Sequence, residues 1–171
     1  MGLAAGRSAV SRRLLLVGTL CSSLPDVDAL GYWAGIPYSD LFGHRGLTHS
    51  IFFAGVVAGI ASLAAPVLAS TAKWTFGFVF VSIASHGLLD TLTDGGLGIA
   101  LLSPFSNHRY FAPWRPIPVS PIGVSGPSRM LSLLAAELML IWLPLLALAT
   151  VGYAWRRWRV VSAPRAAGKP R

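Results

Sequence analysis

The 171-residue chain contains few charged residues and a single cysteine. Charged residues make up 12% of the sequence, well below the roughly 25% that is typical of soluble domains. The single cysteine, Cys21, excludes an internal disulfide and a cysteine-based zinc cluster. Hydrophobic residues make up 54% of the chain, so the composition favours a membrane protein of one domain.

The few ionisable residues are placed unevenly along the chain. Four histidines and five aspartates are present, and six of these nine residues lie in three short blocks. The blocks are Asp26-Val27-Asp28, His44-Arg45-Gly46-Leu47-Thr48-His49 and His86-Gly87-Leu88-Leu89-Asp90. Ionisable residues beside apolar runs are costly near a bilayer, so they indicate function. Asp and His at paired short spacings are the donors that zinc and similar divalent ions use.

Four apolar runs predict the fold class. Residues 50–70, 74–92 and 130–152 are each near the roughly 20 residues that cross a bilayer. A shorter run, residues 14–24, ends before Pro25. We interpret it as an uncleaved helix, and a signal-peptide core is the alternative. The sequence thus predicts an all-α polytopic membrane bundle of about four helices, formed by residues 1–155.

The basic residues predict the orientation of these helices. They cluster near the two ends of the chain and in the link before residue 74, at Arg7, Arg12, Arg13, Lys73, Arg156, Arg157, Arg159, Arg165, Lys169 and Arg171. Because cytoplasmic segments carry an excess of Lys and Arg, we predict four spans with both termini cytoplasmic. Residues 156–171 would form a disordered basic tail. The net charge of +8 then reflects topology, and we expect no nucleic-acid partner.

This topology brings the three blocks to one membrane depth, beside a Pro/Gly-rich extracytoplasmic loop within residues 93–128. The first block ends the first helix, the second begins the next helix, and the third lies near the outer end of the third helix. His86 and Asp90 are four residues apart and share one helix face. The predicted metal ligands are Asp26, Asp28, His44, His49, His86 and Asp90. Six donors exceed the four positions of one zinc, so one or two ions fit.

The same residues predict hydrolytic chemistry. A metal lowers the pKa of a bound water to about 7, and a spare carboxylate, Asp26 or Asp28, would act as base. Arg45 would clamp an anionic substrate such as phosphate. Arg109 and Arg115 would line a substrate groove in the outer loop, or else meet lipid headgroups. Thr48 is predicted to cap the helix that follows it.

Each block also has a structural alternative. His86 and Asp90 would form a hydrogen bond that only stiffens the bundle, and Asp26 or Asp28 would cap a helix or form a turn. Arg45 would contact solvent or headgroups. These alternatives leave a non-enzymatic membrane protein with a structural metal site as the second hypothesis. A small transporter is the third, although ligands collected at one membrane depth count against it.

The three blocks, taken in order, resemble a known family. The stretches Leu24-Pro25-Asp26-Val27-Asp28, His44-Arg45-Gly46-Leu47-Thr48-His49-Ser50 and Ser85-His86-Gly87-Leu88-Leu89-Asp90-Thr91-Leu92-Thr93 are similar to the YdjM-like family of predicted membrane-bound metal-dependent hydrolases. The segment from Ser103 to Ile117 is similar to one subgroup of it. The family is LexA-regulated in some members and associated with the bacterial inner membrane, so the resemblance implies that location.

The resemblance also implies a substrate class and a further ligand. The family is distantly similar to zinc-dependent phospholipase C proteins, which implies a phosphoester or lipid-like ester at the outer membrane face. Membrane lipid and a small-molecule or lipid substrate are therefore the expected partners. Members usually carry another histidine in an upstream apolar helix, and no histidine precedes His44 here. We expect either a site with one ligand fewer or a start codon further upstream.

Overall fold

The computed structural model describes residues 10–119 and 127–162 of the chain. The predicted helical class is confirmed, because β structure in these ranges is limited to two isolated bridges. The chain divides into two compact units, Met1–Ile122 and Gly123–Arg171. The boundary falls inside the predicted domain of residues 1–155, so that stretch contains one whole unit and part of the second.

The described part of the first unit contains four α-helices and two short 3-10 turns. In chain order these are α1 (Arg12–Ser22), a 3-10 turn (Pro25–Asp28), α2 (Ala29–Trp33), a second 3-10 turn (Leu47–His49), α3 (Ile51–Leu63) and α4 (Ala72–Asp90). Each of the three longer helices starts at a hydroxyl side chain. Ser11, Ser50 and Thr71 accept a hydrogen bond from the amide three residues later, which satisfies an otherwise unpaired helix amide. The prediction that Thr48 caps α3 is wrong, because Ser50 does so.

Helix α4 lies between α1 and α3 and packs against both. The buried residues at this contact include Leu14 of α1, Ala54 and Ala58 of α3, and Val79 and Ile83 of α4. Alanines on α3 leave little side chain between the two backbones, so α3 and α4 approach closely.

The ends of α1 and α3 fix the direction of the helices. At the start of α1, Ser11 donates a hydrogen bond to the carbonyl of Leu68, and Arg13 Nη1 lies 2.8 Å from the carbonyl oxygen of Val67. The start of α1 therefore lies beside the turn that follows α3. The two 3-10 turns contact each other and the end of α4. Helices α1 and α4 thus run in the same direction and α3 runs opposite, which brings the three Asp/His blocks to one end of the unit.

Within the residues that the structure describes, two stretches are long and apolar enough to cross a membrane, Arg12–Trp33 and Leu131–Arg159. Of the other two predicted spans, residues 74–92 fall largely in α4 (Ala72–Asp90), whereas residues 50–70 differ from the expectation. Helix α3 has 13 residues, about 20 Å at about 1.5 Å per residue, whereas a bilayer core is about 30 Å thick. Turns occupy residues 64–70, where the sequence predicted a continuous span. Apolar side chains such as Leu16 (61% exposed) and Ile60 (64% exposed) point away from the protein core.

The second unit contains α5 (Pro127–Glu137), a π-helical turn (Leu138–Trp142) and α6 (Leu143–Ser162). The π-helical turn ends just before Pro144, which has no amide hydrogen to donate within a helix. Helix α6 continues to Ser162, so residues 156–162 are helical and do not belong to a disordered tail. Residues 163–171 of that predicted tail lie outside the described residues.

The loop after α4 is folded back on itself. Bridges join Thr93 to Ile117 and Ile99 to Tyr110. The backbone amide of Ala100 donates to the carbonyl of Arg45 at 3.1 Å. This part of the loop therefore packs against the segment that carries the second Asp/His block.

Candidate metal centre

Three predicted ligands from three different elements meet at one point. The ligand atoms of Asp26, His49 and His86 all lie within 4.8 Å of one another. Asp26 Oδ1 is 3.3 Å from His86 Nε2 and 3.7 Å from His49 Nε2. These residues come from the first 3-10 turn, the second 3-10 turn and the last third of α4, so the fold rather than local sequence brings them together.

Asp90 places a fourth donor beside this group. Its Oδ2 atom is 3.4 Å from His49 Nε2 and 3.9 Å from His86 Nε2. Ligand atoms about 2.0–2.1 Å from a tetrahedral zinc lie ~3.4 Å apart. The four carboxylate–imidazole separations, which run from 3.3 to 3.9 Å, are near that value. The predicted same-face arrangement of His86 and Asp90 on α4 is thus present in the structure.

The two histidine nitrogens that face this group have no hydrogen-bond partner within the described part of the chain, although the carboxylates of Asp26 and Asp90 lie 3.3–3.9 Å from them. His49 Nε2 and His86 Nε2 are buried and make no hydrogen bond there. Buried polar atoms without a partner are costly and rare. A divalent cation would satisfy both lone pairs, so the donor set fits a metal such as zinc.

Asp28 lies directly behind this group and accepts four hydrogen bonds. Its Oδ2 atom is 3.0 Å from His49 Nδ1, 2.6 Å from Thr48 Oγ1 and 2.9 Å from the backbone nitrogen of Arg45. Its Oδ1 atom is 2.6 Å from His44 Nδ1. Both oxygens of this buried carboxylate are therefore engaged by protein donors. Asp28 and His44 lie one hydrogen bond away from the point where the other predicted ligands meet.

The hydrogen bond between Asp28 and His49 sets the tautomer of the imidazole. With the proton on Nδ1, the lone pair of Nε2 points toward Asp26, His86 and Asp90. Carboxylates that orient a metal-binding histidine in this way are common at zinc sites. Burial lowers the pKa of His49, but the carboxylates of Asp26, Asp28 and Asp90 outweigh it and raise this pKa to about 10. Without a metal, the ring therefore carries a proton at neutral pH.

Arg45 faces the interior of the protein. This arginine is 5% exposed. Its Nη1 atom lies 2.8 Å from Thr93 Oγ1 and 3.1 Å from the carbonyl oxygen of Gly95. Its Nε atom lies 3.3 Å from Asp90 Oδ2. The guanidinium thus places positive charge next to the cluster and joins it to the loop after α4. Sequence patterns gave no signal for the roles of Thr93 and Gly95.

The two arginines of the loop have different surroundings. Arg109 is half-buried, and its hydrogen bonds in the described chain all go to backbone carbonyl oxygens. Arg115 is exposed, and its guanidinium carbon lies 4.7 Å from the centre of the Phe111 ring. Of the predicted substrate-binding residues, Arg115 is thus the one whose charge faces outward.

Gly87 has a role that the sequence pattern did not reveal. A Cβ atom at this position would lie 2.6 Å from the carbonyl oxygen of His49. The absence of a side chain lets α4 approach the second 3-10 turn, so that His86 and Asp90 reach His49. A glycine between two predicted ligands on a helix was the available signal.

One side of the cluster is open to the outside. The side chain of Asp26 is 55% exposed and that of His86 is 21% exposed, whereas that of His49 is fully buried. Water and small molecules can therefore reach the group from the side of Asp26.

Comparison with known proteins is consistent with a membrane location. The model of the family described as YdjM inner membrane protein matches residues 1–160. The chain is 37% identical over 167 residues to Inner membrane protein YbcI of Escherichia coli (strain K12), covering 93% of this chain and 92% of that protein. No solved structure matches.

Proposed function

The chain belongs to the YdjM family of inner membrane proteins, and from this premise we propose that it is a membrane-bound metal-dependent hydrolase. The observation that carries the proposal is the meeting of Asp26, His49 and His86, with two buried imidazole nitrogens that lack a hydrogen-bond partner in the described chain. Asp90 adds a fourth donor beside this group, 3.4 Å from His49 Nε2 and 3.9 Å from His86 Nε2.

We expect this centre to hold one ion, for which zinc is the proposed metal. The sequence left one or two ions open, because it counted six donors. Asp28 and His44 are engaged with each other and with protein donors, which leaves four donors for metal. Arg45 already places a cation 3.3 Å from Asp90, where it partly neutralises the carboxylate and disfavours a second metal beside it.

The chemistry follows from the open side of the cluster. A divalent metal there supplies Lewis acidity and lowers the pKa of water. Asp26 would be both a ligand of the metal and, as the exposed carboxylate, the group placed to accept a proton from water that enters on its side. Asp28 holds His49 in the required tautomer and acts as a positioning residue in this proposal, not as the base. Arg45 places a positive charge 3.3 Å from Asp90 Oδ2, and Arg115 offers an outward cation to an anionic substrate.

The proposed substrate is a phosphoester or a lipid-like ester at the outer face of the membrane. Apolar side chains are exposed on the same turns as the cluster, where Val27 is 52% exposed and Leu30 is 60% exposed next to the open Asp26. An amphiphile could place its acyl part against these residues and its polar group at the cluster. A soluble ester would gain nothing from them.

The orientation is part of the same proposal. Arg13 and Lys73 lie at the end of the first unit opposite the cluster, since Arg13 contacts Val67 and Lys73 lies in the first turn of α4. Cytoplasmic ends attract basic residues, so we propose that the cluster faces outward and that both termini are cytoplasmic. A green fluorescent protein fusion at the C-terminus should fluoresce, and an alkaline phosphatase fusion there should be inactive; the reverse result would contradict this orientation.

Hydrolysis can be tested with purified protein in lipid nanodiscs. Zinc-loaded wild type and Asp26→Asn are incubated with phospholipids and with soluble phosphate esters, and released phosphate and fatty acid are measured. The proposal predicts release by the wild type that a chelator abolishes and that Asp26→Asn lowers at least about 100-fold, the scale of losing a key catalytic group.

The same assay separates the enzyme from the second hypothesis, a structural metal site. If zinc binds stoichiometrically and raises the melting temperature while no ester is cleaved, the metal joins the three elements and the hydrolase proposal is wrong for these substrates. Four protein donors match the coordination number of a structural zinc site, but the exposure of Asp26 leaves this side of the cluster open to water, as a catalytic site requires.

A further inference from the structure

We infer that Arg109 is a positioning residue that holds the His44–Arg45 segment in the shape the metal centre requires. The sequence suggested that this arginine binds substrate. The structure instead joins it to backbone carbonyl oxygens, including those of His44 and Arg45. The inference rests on the proposed metal centre, because it concerns how that centre is held together.

The contacts of Arg109 converge on one short segment and its surroundings. Nη1 lies 3.2 Å from the carbonyl oxygen of His44, 3.4 Å from that of Arg45 and 3.2 Å from that of Gly98. Nη2 lies 2.8 Å from the carbonyl oxygen of Tyr38 and 3.4 Å from that of Asp40. One guanidinium therefore links the loop after α4 to two parts of the connection between α2 and α3.

The segment that it holds has an uncommon backbone conformation. Arg45 has a φ of 62°, in the left-handed region that residues with a side chain rarely adopt. Such conformations persist where the surrounding structure fixes them. The backbone amide of Arg45 donates to Asp28, and its carbonyl accepts from Ala100 and Arg109. Contacts on both sides of this residue thus maintain its conformation.

Loss of the Arg109 contacts with the His44–Arg45 segment would affect the metal ligands through Asp28. His44 and Arg45 supply two of the four hydrogen bonds that fix the Asp28 carboxylate, and this carboxylate orients His49. If the segment relaxes toward an ordinary conformation, the amide of Arg45 turns away from Asp28. The orientation of His49 Nε2 toward Asp26 and His86 is then less well fixed.

Lysine could not replace Arg109 in this arrangement. A guanidinium presents several N–H groups in a flat fork, whereas an ammonium is a compact point charge on a flexible stem. The Arg109 guanidinium carbon also lies 5.4 Å from the centre of the Tyr38 ring, a cation–π contact that prefers the flat group. Arg115, in the same loop but exposed over Phe111, is the matched control because it makes no comparable contacts with the described backbone.

The experiment compares Arg109→Gln, Arg109→Lys and Arg115→Gln with the wild type in detergent. Cobalt(II), which replaces zinc and absorbs visible light, is titrated into each protein, and both affinity and spectrum are recorded. We expect both Arg109 variants to bind cobalt about 10–100-fold more weakly, the range for losing an outer partner of a metal ligand, with a changed spectrum. Arg115→Gln should match the wild type in both measurements.

Three results would overturn the inference or its premise. Wild-type affinity and spectrum in Arg109→Gln would show that Arg109 positions nothing at the centre. Wild-type behaviour of Arg109→Lys alone would show that charge, and not the forked contact, is what matters. A wild-type protein that binds no cobalt would refute the metal centre itself, which is a separate failure. Far-ultraviolet circular dichroism identifies a misfolded Arg109→Gln, in which case the milder Arg109→Lys decides.

Discussion

Replacing Asp28 with asparagine distinguishes a residue that supports the metal centre from one that binds the ion. In the structure, Asp28 Oδ2 accepts three hydrogen bonds and Oδ1 accepts one, from His44. An asparagine can keep its oxygen at the Oδ2 position and turn its amide toward His44. The imidazole of His44 can then accept from the amide after a change of tautomer.

The size of the effect follows from what asparagine keeps and what it loses. Asp28→Asn retains the hydrogen bond that orients His49 but loses the negative charge behind the imidazole. We therefore expect metal affinity to fall about tenfold, the lower end of the range for outer partners, which corresponds to ~1.4 kcal/mol. Asp28→Ala removes all four hydrogen bonds, so its loss should approach about 100-fold, or ~2.7 kcal/mol. Asp26→Asn removes a ligand and should lose more than either.

Competition titration of zinc with a fluorescent chelator gives these affinities in detergent. The stoichiometry of Asp28→Asn should stay at that of the wild type, while its dissociation constant rises. Thermal unfolding followed by circular dichroism shows whether the variants remain folded without metal. If Asp28→Asn abolished binding while Asp26→Asn bound as the wild type does, the assignment of the two aspartates would be reversed and the reasoning refuted.

Two further predictions concern pH and the close approach of α4. The raised pKa of His49, about 10, keeps a proton on its ring at neutral pH, and a metal must displace that proton. The affinity for metal should therefore fall up to tenfold for each pH unit below that value. A metal affinity independent of pH would contradict this prediction. Gly87→Ala places a Cβ 2.6 Å from the His49 carbonyl oxygen, so it should destabilise the protein by about 1–3 kcal/mol and weaken zinc binding. Gly77→Ala, on the same helix with nothing within 4 Å of its Cβ, should do neither in the same melting and titration assays.

The sequence predicted the features that depend on composition and local spacing. Apolar runs gave the positions of α1, α4 and the helices of the second unit, and the four-residue spacing placed His86 and Asp90 on one face. Within the first unit, the alternating directions of α1, α3 and α4 followed from their order along the chain. These features are set within a single segment or by the order of segments along the chain.

Other features depend on contacts between distant segments, and the sequence could not predict them. All six aspartates and histidines of the three blocks looked alike as donors, but hydrogen bonding to Thr48 and to the amide of Arg45 engages Asp28. Arg109 carries the same charge as Arg115, yet one is joined to the backbone and the other faces outward. Hydropathy also could not show that α3 ends at Leu63, because residues 64–70 remain apolar and uncharged.

Metal stoichiometry of the purified protein tests the central claim most directly. Protein extracted in detergent is dialysed against zinc, and its metal content is measured by mass spectrometry. The His86→Ala variant is measured in the same way. His108→Ala is the control, because the His108 imidazole contacts the Tyr110 ring away from the cluster. One zinc per chain in the wild type and in His108→Ala, with less than about a tenth of that in His86→Ala, is the predicted result. Equal zinc in all three proteins, or none in the wild type, would contradict a metal centre built by Asp26, His49, His86 and Asp90.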